Sequence, residues 1–597
     1  MPARKSRREK LGQVTTVREF TGGWNTVDNE FNMPPKYARV LRNAVRQSDG
    51  TIGPRWGTQW FASISTLGIG NILDITYFST YIVGVTDLGN VFAVNGQGTI
   101  FEIWNDEIAA THAGASAGWS DCTFVSFAPF KNKLVVCNGI DKPLVVDSYL
   151  NCKYLVDEAT GTNINTPIGR YVAGAVGEAY GYLVIAGNPL YPSLLHISNA
   201  DSIGTFLGDT APNDAVEYDL GAKVTSGSAT IKGIRYYRDR LIVGFEEVMI
   251  AVQLGQYNAA DEHVPIVTDL IEGTGCISHR TMLPIAEDIY HISNHNAHFI
   301  TRAKLSSSLV GEDAGELIQP ELQGALSSLS EGTLEDRVFA VPNHNENQWM
   351  LFIPNDDDTR YQTESLGFVY APGRPGAWSE MRDWHWRGGC SSSQNNIFFA
   401  TQSDIYRYGT ESNPVYRDYV DDQESFSDGT KFTDSTGFIS ELDAENTGIS
   451  ISWAWELPWA DFERRMSLKR SLFLGVDASG PGTFVTKMYI DDTYEDLDDP
   501  GEAFTDDYLF SDETGFERET PLTLPALTHD FVGGGRGGFG VDAFGQLFGG
   551  GLRSNTPKLY RWPARFKIAK MRFEGDTLER LRIAAFSLTY TPGGLRR

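Results

Sequence analysis

From about residue 65 to residue 410 the chain is built of short alternating or wholly apolar runs rich in Val, Ile, Tyr and Phe, cut by Gly, Asn and Asp turns. Stretches such as "ILDITYFSTYIVGVTDLGNVFAVNGQGTIFEIW", "CTFVSFAPFKNKLVVCNGIDKPLVVDSY" and "TIKGIRYYRDRLIVGFEEVMIAVQ" share one order: strand, tight polar turn, strand, turn, strand. The unit recurs at intervals of roughly 40 to 60 residues with three or four strands each, which is the spacing of propeller blades rather than of a sandwich. The pattern predicts a mainly β protein, a β-propeller of about six blades with inserted β-rich domains and a short N-terminal helix.

That helix is expected between Pro34-Pro35, which suit a helix start, and the turn "QSDG". Tyr37, Val40, Leu41, Ala44 and Val45 then fall on one apolar face, with Lys36, Arg39, Arg42 and Arg46 around the rest. Beyond residue 410 two acidic stretches interrupt the blade grammar. Residues 411–445 hold ten acids against two basic residues, and residues 491–519 hold thirteen acids against Arg518 alone. Between them "ISISWAWELPW" alternates around Ile449, Ile451, Trp453 and Trp455. From Leu559 to Leu588 basic residues alternate with apolar ones, which predicts strands with one buried and one cationic face. The expected division is a basic arm and helix clasp over 1–64, the propeller over 65–410, acidic β-rich insertions over 411–530, and a Gly-rich loop with closing strands over 531–597.

The formal net charge is −27, yet the first 46 residues carry ten Lys or Arg against four acids. An acidic body argues against wrapping nucleic acid, because phosphate contacts need cations, but suits a surface past which a polyanion slides. The five cysteines form no Cys-x-x-Cys pair, so free thiols made in a reducing compartment are expected. There is no apolar run long enough for a membrane-spanning helix and no signal-peptide core, which predicts a soluble product not exported by the general secretory route.

Several motifs invite chemistry and give way to plainer readings. His291, His295 and His298 in "HISNHNAH" have a helical zinc spacing, but the Ser-Asn-His-Asn centre is turn chemistry and predicts a hairpin tip. "GGGRGGFGVDAFGQLFGGGL" lacks the Gly-Lys-Ser/Thr ending of a nucleotide loop. "NDDDTR" and "SFSDGTKF" lack full calcium-loop spacing and read as polar turns. No nucleophile elbow, His-Glu-x-x-His or distinct carboxylate pair nominates an enzyme, so no catalytic residue, cofactor or metal is assigned. The basic N-terminus and last 40 residues read as protein-contact surfaces rather than DNA-binding ones.

The stretch "FTGGWNTVDNEFNMPPKYARVLRNAVRQSDGTIGPRWGT" resembles the start of tail nozzle proteins of short-tailed bacteriophages, also called tail tubular protein B or tail stabilisation proteins. Gly22, Gly23, Asn25, Thr26, Pro34, Asn43, Arg55 and Gly57 stand at the matching places, with Trp24 where Leu is usual. Weaker likeness recurs in "VVCNGIDKPLVVD", "GNPLYPSLLHISNADSIGTF" and "IYHISNHNAHFI" and fades between about 410 and 530. The resemblance implies a non-enzymatic virion protein, made in the host cytoplasm, that forms the distal tail tube as a homohexamer. It further implies attachment to a tail adaptor (the head-to-tail connector), contact with tail fibres or tailspikes and the host envelope, and dsDNA passing through the lumen without specific binding. The adaptor or fibre contact is expected at Arg39, Arg42, Arg46, Tyr37 and Leu41. Two other classes stand beside it: a propeller that binds or cleaves glycans at the bacterial surface, and a cellular interaction scaffold, which the lack of a regular repeat signature disfavours.

Overall fold

The computed structural model describes residues 13–17, 22–29, 32–47, 50–111, 118–156, 165–176, 180–206, 215–259, 263–285, 287–302, 309–355, 365–372, 376–411, 414–415, 417–418, 449–460, 469–479, 482–491, 522–523, 527–531, 558–561, 565–566, 568–577 and 582–592. Nearly all of the acidic stretches and of "NDDDTR", and the whole of the glycine-rich run and of "SFSDGTKF", lie outside the described residues.

Seven four-stranded antiparallel blades form the propeller, five of them separate sheets and two of them parts of a 15-stranded sheet that runs on into the strands outside the ring. Blades one to six span residues 72–104, 126–154, 171–219, 233–272, 283–313 and 339–384 in chain order. Blade seven takes three strands from residues 388–408 and its outermost strand, Thr58–Ser63, from the N-terminal segment, paired against Asp404–Tyr408. The blade count is therefore seven rather than about six, and the boundary at residue 64 falls one strand late. The cause is topological: the missing strand lies some 340 residues upstream of its partner, so no local pattern assigns it to a blade. The closure is mechanically sensible, since the chain enters the ring through the blade that ends it. Ala62 and Ile64 join Cys390, Phe398 and Ile405 of blade seven to Ile72, Ile75 and Phe92 of blade one in a single buried cluster.

The hairpins follow from local chemistry. Lys131 and Asn132, at φ 47° and 58°, form the two-residue link between Phe130 and Lys133, where positive φ at both centres matches the strand twist. Because strand side chains alternate, each inner blade contributes to the cores on both sides. Leu134 and Val136 pack toward blade one, whereas Val135 and Cys137 pack toward blade three. All five cysteines are free and buried in this ring. The His291–His298 segment is a hairpin, as its turn chemistry predicts: the two histidines pair across adjacent strands, and Ser293 and Asn296 close the turn by a main-chain bond of 2.9 Å.

The remaining strands build a two-sheet β-sandwich from both ends of the chain. One sheet holds Gln13–Val17, Arg582–Pro592, Lys469–Ser479, Lys558–Arg561, Ile52–Pro54 and Ala44–Arg46, with Arg565–Phe566 at its side. The other holds Val40–Arg42, Ile449–Glu456, Ile568–Thr577 and Gly482–Asp491, and Gly482–Asp491 also pairs with Leu522–Thr523 and Leu527–Phe531. Within one sheet Trp455 stacks on its cross-strand neighbour Phe573 at 4.8 Å, and across the sheets Phe573 meets Phe586 at 5.6 Å. The described strands of segments 1–64, 411–530 and 531–597 thus share sheets.

The short N-terminal helix does not form. Residues 37–46 are three short strands, Tyr37–Ala38, Val40–Arg42 and Ala44–Arg46. Two forces decide this. Val40–Arg42 pairs with Ala454–Glu456 on one side and meets Glu380 of blade six on the other, satisfying its backbone groups between two sheets. Asn43, at φ 49°, then turns the chain so that Leu41 and Ala44 enter one core while Val45 enters another. The apolar spacing fits both outcomes, and tertiary pairing selects the strands.

Candidate functional site

Two places bring functional side chains together: the clasp that joins propeller to sandwich, and the mouth of the propeller's central channel.

At the clasp, Gly23 has φ +67°, and a Cβ there would lie 2.7 Å from Ala377 Cα and Trp378 N in blade six. Only glycine fits both demands. A Cβ on Gly22 would meet the Tyr37 ring at 2.2 Å. Asn25 accepts the main-chain N–H groups of Val27 and Asp28, each at 3.1 Å, and Trp24 donates its indole N–H to the Arg39 carbonyl at 2.9 Å. Asn43 then binds three segments. Its N–H donates to Glu380 O at 2.8 Å and its Nδ2 to Ser452 O at 2.9 Å, while its Oδ1 accepts from Arg382 N at 2.9 Å and from Arg55 Nε at 3.2 Å. Arg55, 3 % exposed, forms a two-pronged pair with Asp418 at 3.0 and 2.5 Å and lies 4.3 Å over the Trp384 ring. Thr58 donates to the same carboxylate at 3.1 Å.

The five residues expected at a partner surface sit here but do not share a face. Leu41 is fully buried in the core and has no surface to offer. Tyr37 covers Gly22, Arg39 donates to the Thr26 carbonyl at 2.9 Å, and Arg42 pairs with Glu380 at 3.2 Å. Arg46 is half-buried at a strand end. The cationic helix face is thus replaced by a joint inside the chain. The closing strands behave similarly: Ala569, Met571 and Phe573 are buried, and the alternating Lys570 and Arg572 are matched by Glu456 and Glu574.

At the channel mouth, the seven-residue helix Glu331–Arg337, capped by Ser330, lies across the entry to the inner strands. Its acids meet a cation from each of two blades. Arg170, just ahead of blade three, pairs with Asp336 and, at 3.6 Å, with Glu335. Lys232, ahead of blade four, pairs with Glu331 at 2.7 Å and with Glu335. Arg280, ahead of blade five, donates to Asp336 O at 2.9 Å and Arg387 O at 2.7 Å and pairs with Asp74 at 2.9 Å. Burial opposes the charge of Lys232, but its hydrogen bonds to Glu331 and Glu335 outweigh that and raise its pKa; the bond from Lys232 holds the Glu331 carboxyl below its ordinary range.

Beneath the helix the channel keeps a cavity of about 220 Å³ lined by Arg235, His279, Arg280, Asp74, Tyr77 and His344, among others. Asp74 is the one carboxylate in that lining. Burial, then Arg235, Arg280 and Arg170, push the His279 imidazole down to about 3, so it stays neutral and accepts the Ile234 N–H at 3.3 Å. Nothing local in the sequence marked this site. The helix is too short for a periodic signal, and its basic partners come from three blades. Among the described residues no group of three or more His, Cys, Asp or Glu is placed to hold a metal, and no helix is long and apolar enough to cross a membrane.

No protein-family model and no curated protein matches the chain. Solved structures that it resembles are one titled "Crystal Structure of Mitotic Checkpoint Complex" (10 % identity, 64 % of this chain and 98 % of that one, TM-score 0.34), a streptogramin B lyase (9 %, 60 % and 98 %, 0.34) and the Neurospora crassa Pan2 WD40 domain (6 %, 60 % and 97 %, 0.35). The propeller assignment rests on the seven blades and their closure.

Proposed function

We propose that the chain is a structural subunit of the distal tail tube, or nozzle, of a short-tailed bacteriophage. The observation that carries this reading is the role of the resemblance motif. Gly22, Gly23, Asn25, Asn43, Arg55 and Gly57 are the residues that fasten propeller, sandwich and seventh blade together, so a chain sharing them shares this joint rather than a passing string of letters. The nozzle reading carries a homohexamer with it. The cavity in the channel of one propeller holds about 220 Å³, the scale of a small molecule and not of a duplex, and a helix lies across one mouth. A duplex therefore passes between copies, and a net charge of −27 per subunit discourages its adhesion. The adaptor, fibres and host envelope are its expected neighbours, in a virion assembled in the host cytoplasm.

Glycan binding or cleavage at the bacterial surface is the competing function. Hydrolysis by the usual route uses two carboxylates flanking the bond, and the channel lining supplies Asp74, which is paired with Arg280. Electron microscopy of the purified chain with and without the adaptor separates the two. Six-fold rings or tubes support the nozzle. A chain that stays monomeric with the adaptor, and releases sugar from host polysaccharide, overturns it.

A further inference from the structure

The cavity of about 220 Å³ in the propeller channel is a well with one covered end. Blade six's inner strand begins at Phe339, just past the helix Glu331–Arg337, and runs to Asn343. His344, the next residue, is exposed and lines the cavity, so the well opens on the face away from the helix.

Arg235 stands in the middle of blade four's inner strand, Gly233–Tyr237. Its neighbours Ile234 and Tyr236 pack into the core between blades three and four, so strand alternation sends Arg235 to the opposite face, where it lines the well. Its charge is unanswered. Among the described residues no hydrogen bond or ion pair reaches its side chain, and burial lowers its pKa with no acid nearby to oppose the fall. Asp74 is the one carboxylate in the lining, and it is paired with Arg280 at 2.9 Å. The cations nearer the helix, Arg170 and Lys232, are matched by the helix acids. The half-buried Arg235 guanidinium is also open, since none of its nitrogens is closed off behind other atoms.

His279 lines the same well, close enough that Arg235 is the charge that, after burial, most depresses its imidazole. Its Nδ1 accepts the Ile234 N–H at 3.3 Å, so the neutral ring carries its proton on Nε2, which has no partner and is likewise open. A guanidinium drawn away from water without a counter-charge costs free energy, and an anion beside it offsets that cost.

We propose that the well binds a small oxyanion, of the size of phosphate, sulfate or a short dicarboxylate, held by the Arg235 guanidinium with His279 as a neutral second donor. The planar fork of arginine matches two oxygens of such a group at once. The site is independent of the tail assignment, since it requires only the propeller ring.

Isothermal titration of the full chain with phosphate, sulfate, succinate and the neutral succinamide, at constant ionic strength, tests it. Saturable binding of at least one anion is expected, at least tenfold weaker in Arg235→Gln and absent for succinamide, and the preference among the three anions identifies the oxyanion. Arg235→Gln should fold, with an unliganded melting temperature at or above that of the parent, because an uncompensated charge is gone. Arg235→Lys keeps the charge without the fork; it should bind with intermediate affinity, and it carries the test should the Gln variant fail to fold. Arg238→Gln removes an exposed arginine just past the same strand and should bind as the parent does. Absence of saturable binding by all three anions, succinamide binding as well as succinate, unchanged affinity in Arg235→Gln, or an equal loss in Arg238→Gln each overturns the proposal.

Discussion

The amide oxygen of Asn43 accepts from Arg55 Nε at 3.2 Å, and through this pair three bodies meet: blade six at Glu380 and Arg382, the sandwich at Ser452, and blade seven through Asp418 and Thr58. The side chains are buried, so each lost bond leaves a partner that water does not reach.

Arg55→Met should destabilise the chain by about 3 kcal/mol, because it strands the Asp418 carboxylate. Asn43→Ala should cost about 2 kcal/mol, because Ser452 O loses its donor and Arg382 N and Arg55 Nε lose their acceptor. Since both act on one network, the double variant should lose clearly less than the sum, by at least about 0.5 kcal/mol in a denaturant-melt cycle. Additive losses would show that the two side chains act separately.

Gly23→Ala should be worse than its size suggests. The new methyl would meet blade-six backbone at 2.7 Å in a left-handed conformation, and a loss of at least about 2 kcal/mol is expected. Gly50, also at positive φ, has open space around its Cβ position, so Gly50→Ala should cost about 1 kcal/mol or less, from the backbone alone. Equal melting temperatures for the two variants would contradict the close approach.

Removing residues 1–17 deletes the strand Gln13–Val17 that covers Phe586–Tyr590. The uncovered edge is long and carries main-chain groups ready to pair, so the truncated chain should self-associate in a concentration-dependent way on light scattering. A truncated chain as monodisperse as its parent would mean that the strand is dispensable.

The capping helix is held by charge. Lys232→Glu replaces a pair with Glu331 and Glu335 by repulsion, and amide exchange over residues 331–337 should quicken by roughly tenfold or more while the blade strands keep their protection. Unchanged exchange would show that packing, not charge, seats the helix.

Acid should weaken the fold before carboxylates titrate. Burial lowers His263 to about 4; burial followed by Arg235, Arg280 and Arg170 lowers His279 to about 3; burial followed by His298 lowers His291 to about 3. The unfolded histidines, near 6.5, bind protons that the folded ones refuse. Their contribution is complete above about pH 6.5 and falls as pH drops toward about 4, by about 1.4 kcal/mol per pH unit for each group. Melting temperatures between about pH 8 and about pH 5 should decline, and His279→Asn should flatten the slope.

The sequence by itself determined what depends on near neighbours. Alternating apolar runs set the blade strands, Lys131-Asn132 and Ser293 to Asn296 set hairpin turns, and Gly22-Gly23 set a turn no other residue could make. These are readable because strand period and turn conformation are local properties. Tertiary structure decided which strands share a sheet. Thr58–Ser63 joins a blade some 340 residues away, Arg55 finds Asp418 across 363 residues, and the helical spacing at 37–45 yields to pairing with Glu380 and residues 454–456. The cavity around Arg235 was equally invisible, because its walls come from blades one, two, four, five, six and seven. Such partners are chosen by buried area and by unmatched hydrogen-bonding groups, which exist only once the chain has closed on itself.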